Sequence, residues 1–185
     1  MAWITDDLQG AIFGVGKSVR RISKSSELVE IDDHRYTLWR RFKEGTPLSR
    51  MVAFIGLNPS TATPDKLDPT VSKCEHWAKA WGFDGFVMLN LFSYRATEPA
   101  EMKVQGEDAS GWPDNHEAIK SICSESGLIV CCWGNDGACM QQSSTFRTLL
   151  THLEKYALAI NKTGEPKHPL YHKKDVKLED LVRLV

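Results

Sequence analysis

Four short polar segments in this chain each follow an apolar run, and together they carry side chains fit for chemistry on a ligand. They are Gly56-Leu57-Asn58-Pro59-Ser60, Asn90, Trp133-Gly134-Asn135 and Lys167-His168-Pro169-Leu170-Tyr171. The Asn58 amide has a carbonyl oxygen that can orient a water. It takes up no proton near neutrality, so it is not a true base. Asn90 offers a donor and an acceptor together, and an unpaired amide at the end of a buried strand is costly. His168 can donate a hydrogen bond to a ligand oxygen near neutral pH. Each has a plainer reading: Asn58 as a cap of the loop before Pro59, Asn90 as a tie between two loops, His168 as a structural loop histidine. Asp68 either shapes the same crevice or caps the helix that follows it. Arg95 either contacts a phosphate or another polar group of a ligand, or forms a surface ion pair. His168 and His172 have His-x3-His spacing, but Pro169 between them argues against a metal-binding helix, and no metal site is expected.

The elements that would position these groups are read from apolar runs and punctuation. Met51–Ile55, Phe86–Leu91 and Leu128–Trp133 are buried strands, and Leu158–Ile160 is a short fourth one. Residues 71–81, with Thr70 as a cap, read as a helix presenting Cys74, Trp77, Ala78 and Trp81. Residues 114–123 and 144–156 read as two more, and the tail 178–185 as a last helix. Glu27–Phe42 reads as a β-hairpin turning at Asp32-Asp33-His34, and residues 91–113 as a loop. Alternation of strand and helix predicts an α/β fold, three layers deep (α/β/α), around a central, mostly parallel, four-stranded sheet with an added N-terminal hairpin. Ligands bind such sheets at the carboxyl ends of the strands, where the four polar segments lie.

At 185 residues the chain suits one domain, with residues 1–26 as an N-terminal extension. Hydrophobic residues make up 42% and charged ones 25%, ordinary for a globular protein, and no run approaches a membrane span. Five cysteines without a CxxC pair, and no secretory signal, point to reduced thiols and the cytoplasm. The net charge of −1 carries no basic footprint for nucleic acid, so any such function rests on the site. Gly14-Val15-Gly16-Lys17-Ser18 mimics the end of a P-loop, but Ala11 stands where the pattern needs its first glycine.

In order and position, Gly56-Leu57-Asn58-Pro59, Val87-Met88-Leu89-Asn90, Val130-Cys131-Cys132-Trp133-Gly134 and His168-Pro169-Leu170 resemble the uracil-DNA-glycosylase superfamily. More closely, Arg35 to Lys177 resembles a bacterial and phage family of unknown function. Its members carry Gly-Leu-Asn-Pro-Ser-Thr (here Gly56–Thr61), Asp-Pro-Thr (Asp68–Thr70), Asn-Leu-Phe (Asn90–Phe92), Arg-Ala-Thr (Arg95–Thr97) and Lys-His-Pro-Leu-Tyr (Lys167–Tyr171). The superfamily resemblance implies a monofunctional glycosylase without a cofactor, acting as a monomer on a nucleotide flipped out of DNA. By this resemblance Asn58 positions the attacking water and His168 stabilises the leaving base. Gly56, Leu57, Ser60, Asp68, Asn90 and Phe92 surround the base. Thr61, Arg95, Lys167, Leu170 and Tyr171 contact the strand, the last two as a wedge. Phe92, Trp133 and Tyr94 are candidates for stacking on the base, although aromatics in such positions are more often core. Lys167 is a phosphate ligand or, in a second reading, a Schiff-base former.

The uracil-specific branch has Asp at the position of Asn58 and a bulky Tyr at that of Ser60, which rejects 5-substituted bases. Serine leaves that corner open. The expected substrate is therefore a C5-modified pyrimidine, for example the glucosylated hydroxymethyl base of phage DNA, excised to leave an abasic site in anti-phage defence or phage competition. Two other functions remain: a catalytically silent reader of modified DNA, and a hydrolase of free nucleosides or nucleotides.

Overall fold

The computed structural model describes residues 19–23, 26–60 and 68–185. The P-loop-like run Gly14–Ser18 lies outside them, as does Thr61.

Apolar strands with both faces covered form the middle of the molecule. Strand β4 (Met51–Gly56) is flanked in parallel by β5 (Gly85–Asn90) and β6 (Leu128–Cys131), with Val52 opposite both Phe86 and Leu128. Every residue of β4 and β5 is buried, as continuous apolar runs in a parallel sheet require. Beyond β6 lies the two-residue strand β7 (Tyr156–Ala157), also parallel.

The sheet does not stop at four strands. β1 (Val19–Ser23), β2 (Ser26–Ile31), β3 (His34–Arg41) and the C-terminal β8 (Val182–Arg183) extend it to eight, in the order β1-β2-β3-β5-β4-β6-β7-β8. The expectation of a mostly parallel four-stranded sheet is corrected: four of the seven pairings, β1·β2, β2·β3, β3·β5 and β7·β8, are antiparallel. The N-terminal hairpin forms as read, turning at Asp32 with φ 51°, but β3 pairs along β5 and makes the hairpin part of the main sheet. The expected tail helix is also corrected, because β8 adds to β7 and the Leu184 N–H donates to the Lys155 carbonyl (2.8 Å). Ile160, expected in the fourth strand, makes only an isolated bridge to Pro166.

Alternate strand residues face two separate cores. Met51, Ala53 and Ile55 pack with Val87, Leu89, Ile129 and Cys131 on one side. Val52 and Phe54 pack with Phe86, Met88, Val130 and Cys132 on the other. The second core is covered by helix α1 (Pro69–Ala80) through Cys74, Trp77 and Ala78. The first is covered by α2 (Pro99–Val104), α3 (Asp114–Glu125) and α4 (Gln142–Leu149), through Met102, Ile119, Ile122 and Phe146. Three layers follow. α2 occupies part of the expected loop, and α4 ends at Leu149 rather than Tyr156. Helix α1 is capped not by Thr70 but by Asp68, whose Oδ1 accepts from the Thr70 (2.7 Å) and Val71 (3.3 Å) N–H groups. The cysteines are free thiols, four of them buried. Among the described residues, no helix is long and apolar enough to cross a membrane.

The chain leaves β4 toward α1 on one face, and leaves β5 and β6 toward helices on the other. Connections that diverge this way open a crevice at the carboxyl ends of the strands.

Candidate functional site

That crevice is a cleft of about 620 Å³, within the ~300–1,000 Å³ typical of small-molecule sites. Its walls come from every segment that ends a central strand. Gly56, Leu57, Asn58 and Ser60 follow β4, and Asn90 ends β5. Trp133, Gly134 and Asn135 follow β6. His168, Leu170 and Tyr171 come from the segment beyond β7, and Asp68 from the start of α1.

Asn58 is seated by its own loop. Its Nδ2 donates to the carbonyls of Ala96 (2.8 Å) and Pro59 (3.2 Å). Two acceptors at one end of an amide fix which end is nitrogen, so Oδ1 is the atom left to accept from a ligand or water. The loop is in turn stitched to the segment after β5: Leu91, Phe92 and Ala96 donate backbone N–H groups to Gly56, Leu57 and Pro59 (2.9–3.0 Å).

Asn90 is 6% exposed, and its amide makes no hydrogen bond among the described residues. A buried amide without partners is costly unless a ligand supplies them. Gly56 makes room for it, since a β-carbon at position 56 would lie 2.8 Å from Asn90 Oδ1. From behind, the fully buried Asn115 donates Nδ2 to the Asn90 and Leu91 carbonyls (3.1 and 3.2 Å), which holds the strand end in place.

His168 starts a single helical turn, Pro169–Tyr171, and its Nδ1 accepts from the Leu170 N–H at a long 3.4 Å. Burial pushes its pKa below the usual 6.5; Asp68 opposes that shift and Lys73 adds to it. The ring is therefore neutral near pH 7, with its proton on Nε2, the nitrogen free to donate. The glycine at 134 adopts φ 76°, and a β-carbon there would sit 3.5 Å from the His168 β-carbon.

The loop carrying His168 has little secondary structure, and α1 holds it through main-chain carbonyls. Lys73 Nζ donates to Pro169 (3.2 Å), Leu170 (3.0 Å) and His172 (2.6 Å). Trp77 and Trp81, stacked on each other, donate Nε1 to Lys174 and Val176 (2.9 Å each). Ser60 Oγ donates to Asp68 Oδ2 (2.8 Å), so the loop after β4 is tied to the start of the same helix.

Nine of the residues singled out by sequence line this one cleft: Gly56, Leu57, Asn58, Ser60, Asp68, Asn90, His168, Leu170 and Tyr171. Others are not brought to it. Phe92 is fully buried in the core on the α3 side. Arg95 is turned to Glu30, with Nη1 3.6 Å from its carboxylate. Lys167 does not line the cleft; its backbone N–H pairs with the Ala159 carbonyl (2.8 Å). Thr61 lies outside the described residues. Trp133 reaches the cleft wall but is 1% exposed, its Nε1 donating to Glu165 (2.6 Å) and its ring edge-on to Phe146, so it is core. Tyr94 packs edge-on to His34. Thr70 lines the cleft with Asp68, as the reading of Asp68-Pro69-Thr70 as a crevice-shaping stretch allowed, and Arg35 and Glu98 line it without having been expected. Arg35 had one available signal: it opens the region of motif resemblance.

A sequence profile for a family described as "Protein of unknown function (DUF1643)" matches residues 35–170. No curated protein and no solved structure matches the chain.

Proposed function

The chain belongs to the DUF1643 family, and we propose that it is a monofunctional DNA glycosylase of the uracil-DNA-glycosylase kind, acting on a pyrimidine enlarged at C5. The observation that carries this reading is the meeting of Asn58, Asn90 and His168, from three separate segments of the chain, in one cleft.

The reaction breaks the bond between C1′ of the sugar and the base nitrogen. The electron pair leaves with the base, and a water oxygen bonds to C1′. His168 donates Nε2–H to the base oxygen as negative charge develops, a contribution of the oxyanion-hole type. Asn58 orients the water through Oδ1. Since an amide takes up no proton, the water proton passes to solvent, and turnover is slow. Asn90 supplies donor and acceptor to the base edge. Ser60 is small and drawn back onto Asp68, which leaves room beside the base for a C5 substituent. Leu170 and Tyr171, 46% and 75% exposed at the rim, fill the gap left by the extruded base, offsetting part of a cost of a few kcal/mol. With a hypermodified base such as the glucosylated hydroxymethyl pyrimidine of phage DNA as the target, the role is defence against phage, or competition between phages, in the cytoplasm. The protein works as a monomer and needs no cofactor.

The test is mass spectrometry of free base after incubation with plain, uracil-containing, hydroxymethylated and glucosylated DNA. We expect release from a 5-substituted pyrimidine, slowed about 100- to 1,000-fold by His168→Ala. A preference for plain uracil overturns the part assigned to Ser60. Binding without release from any DNA replaces the enzyme with a silent reader. Activity on a mononucleotide but not on an oligonucleotide replaces it with a nucleotide hydrolase.

A further inference from the structure

Among the described residues, Arg35 is the one permanently charged cation lining the cleft, and it is 9% exposed. Its backbone N–H is spent on the Ser93 carbonyl (2.8 Å), but its guanidinium makes no hydrogen bond and no ion pair among the described residues. The two carboxylates whose fields reach it, Glu30 and Asp68, are both engaged elsewhere. Glu30 lies 3.6 Å from Arg95. Asp68 has Oδ1 on the Thr70 and Val71 amides and Oδ2 on the Ser60 hydroxyl. Arg40 and Arg95 add positive field on the same side. A buried guanidinium with five unmatched donors is expensive to keep. A structural arginine would be paired; this one is left facing the cleft.

We propose that Arg35 recognises phosphate, its guanidinium forking onto phosphoryl oxygens of the nucleotide whose base the cleft holds. This rests on the reading of the cleft as a nucleotide site. The planar fork matches two phosphoryl oxygens, which a lysine does not. The carboxylates on the cleft wall do not defeat it: Asp68 is consumed as above, Asp136 is paired with Lys103 (2.6 Å), and Glu98 is exposed. It also supplies locally what the net charge of −1 withholds globally. A strand diester and a free nucleotide monoester present the same oxygens, and the ligands below separate them.

Thermal unfolding is measured for wild type, Arg35→Met and Arg35→Lys in inorganic phosphate against chloride at matched ionic strength. Binding of thymidine, thymidine 5′-monophosphate and a short single-stranded oligonucleotide is measured by calorimetry. We expect phosphate to raise the midpoint of wild type, less so of Arg35→Lys and not of Arg35→Met. The monophosphate or the oligonucleotide should bind wild type at least about tenfold more tightly than thymidine, an advantage lost in Arg35→Met. Stronger binding of the strand identifies a diester, and of the mononucleotide a monoester. Without ligand, Arg35→Met should be as stable as wild type or more so, since it removes an unmatched buried charge. Equal responses of wild type to phosphate and chloride would overturn the proposal. So would a phosphate response that persists in Arg35→Met, or an Arg35→Met chain that no longer folds. Base release with no phosphate effect removes this inference alone; phosphate recognition with no base release from any DNA removes the glycosylase alone.

Discussion

An aspartate at position 58 would meet the wrong chemistry in its own loop. The Asn58 amide nitrogen sits 2.8 Å from the Ala96 carbonyl and 3.2 Å from that of Pro59, and a carboxylate oxygen there would face two acceptors with no proton between them. Leaving two half-buried carbonyls opposed by an anion costs about 1–3 kcal/mol. In a chain of this length that lowers the thermal midpoint by several degrees. We therefore expect Asn58→Asp to be less stable than wild type by thermal unfolding at pH 7, with the difference shrinking as the pH falls and the new carboxyl protonates. An unchanged midpoint would mean that the side chain is not seated on those carbonyls. The same contacts account for what could and could not be read at this scale. Asn58 and Asn90 were legible because each lies at or just past the end of an apolar run, which fixes its place, and His168 because it stands in the Lys167–Tyr171 motif beyond the last short run. Arg35 was not, because its significance lies in the absence of a partner, and that depends on Asp68 being taken up by Ser60, Thr70 and Val71 and on Glu30 lying beside Arg95, which is distant in sequence. Phe92 and Arg95 were misplaced for the complementary reason: they sit in the right segment, but packing turns one into the core and an ion pair draws the other to Glu30.

Helix α1 reaches the cleft twice. It begins there at Asp68, and its side chains grip the segment that returns with His168. Lys73 holds the loop carbonyls of Pro169, Leu170 and His172, so Lys73→Met should loosen residues 169–172 without unfolding the sheet. Amide exchange of Tyr171 and His172 should quicken by roughly tenfold or more through local opening, while the urea midpoint of the whole chain moves little. A uniform loss of protection across the sheet would instead make Lys73 a determinant of global stability. The helix itself was legible from Cys74, Trp77 and Ala78 at helical spacing, and β4, β5 and β6 from their apolar runs. What escaped was set by contacts that local pattern does not encode. Strands β7 and β8, two residues each, exist because Tyr156 pairs with Val130 on one side and Arg183 on the other. The six-residue α2 is too short and too polar to show periodicity. The tail was read as a helix from composition alone, whereas the open edge of β7 recruits it as a strand.

Across the whole molecule, three histidines should make stability depend on pH in one direction. His116 lies on α3 beneath Trp112; His168 and His172 lie in the segment gripped by α1, on the other side of the sheet. Burial is the first cause of a lowered pKa in all three. Lys73 adds to the shift at His168 and His172, and Lys167 at His172, while Gln142 opposes it at His116 and Asp68 at His168. The unfolded chain takes up these protons near pH 6.5, whereas the folded chain resists until the pH is lower. Between those values the unfolded state binds more protons, so stability rises with pH. The contribution is fully present above about pH 6.5 and is lost as the pH falls through the folded values. The carboxylate of Asp84, held below 3.8 by Lys43 and Arg50, titrates beneath that window and does not mask it. His116 is 7% exposed and its Nδ1 is buried without a partner. While the pH lies between its two values it contributes up to about 1.4 kcal/mol per pH unit. Urea unfolding at pH 5, 6, 7 and 8 should therefore give stability that climbs to pH 7 and then levels. His116→Gln should flatten part of the climb and leave the plateau above pH 7 lower, since the cavity fits imidazole. A profile with no slope between pH 5 and 7, or one that His116→Gln leaves unchanged, would mean that this ring is already relieved by solvent and that the acid sensitivity of the fold lies elsewhere.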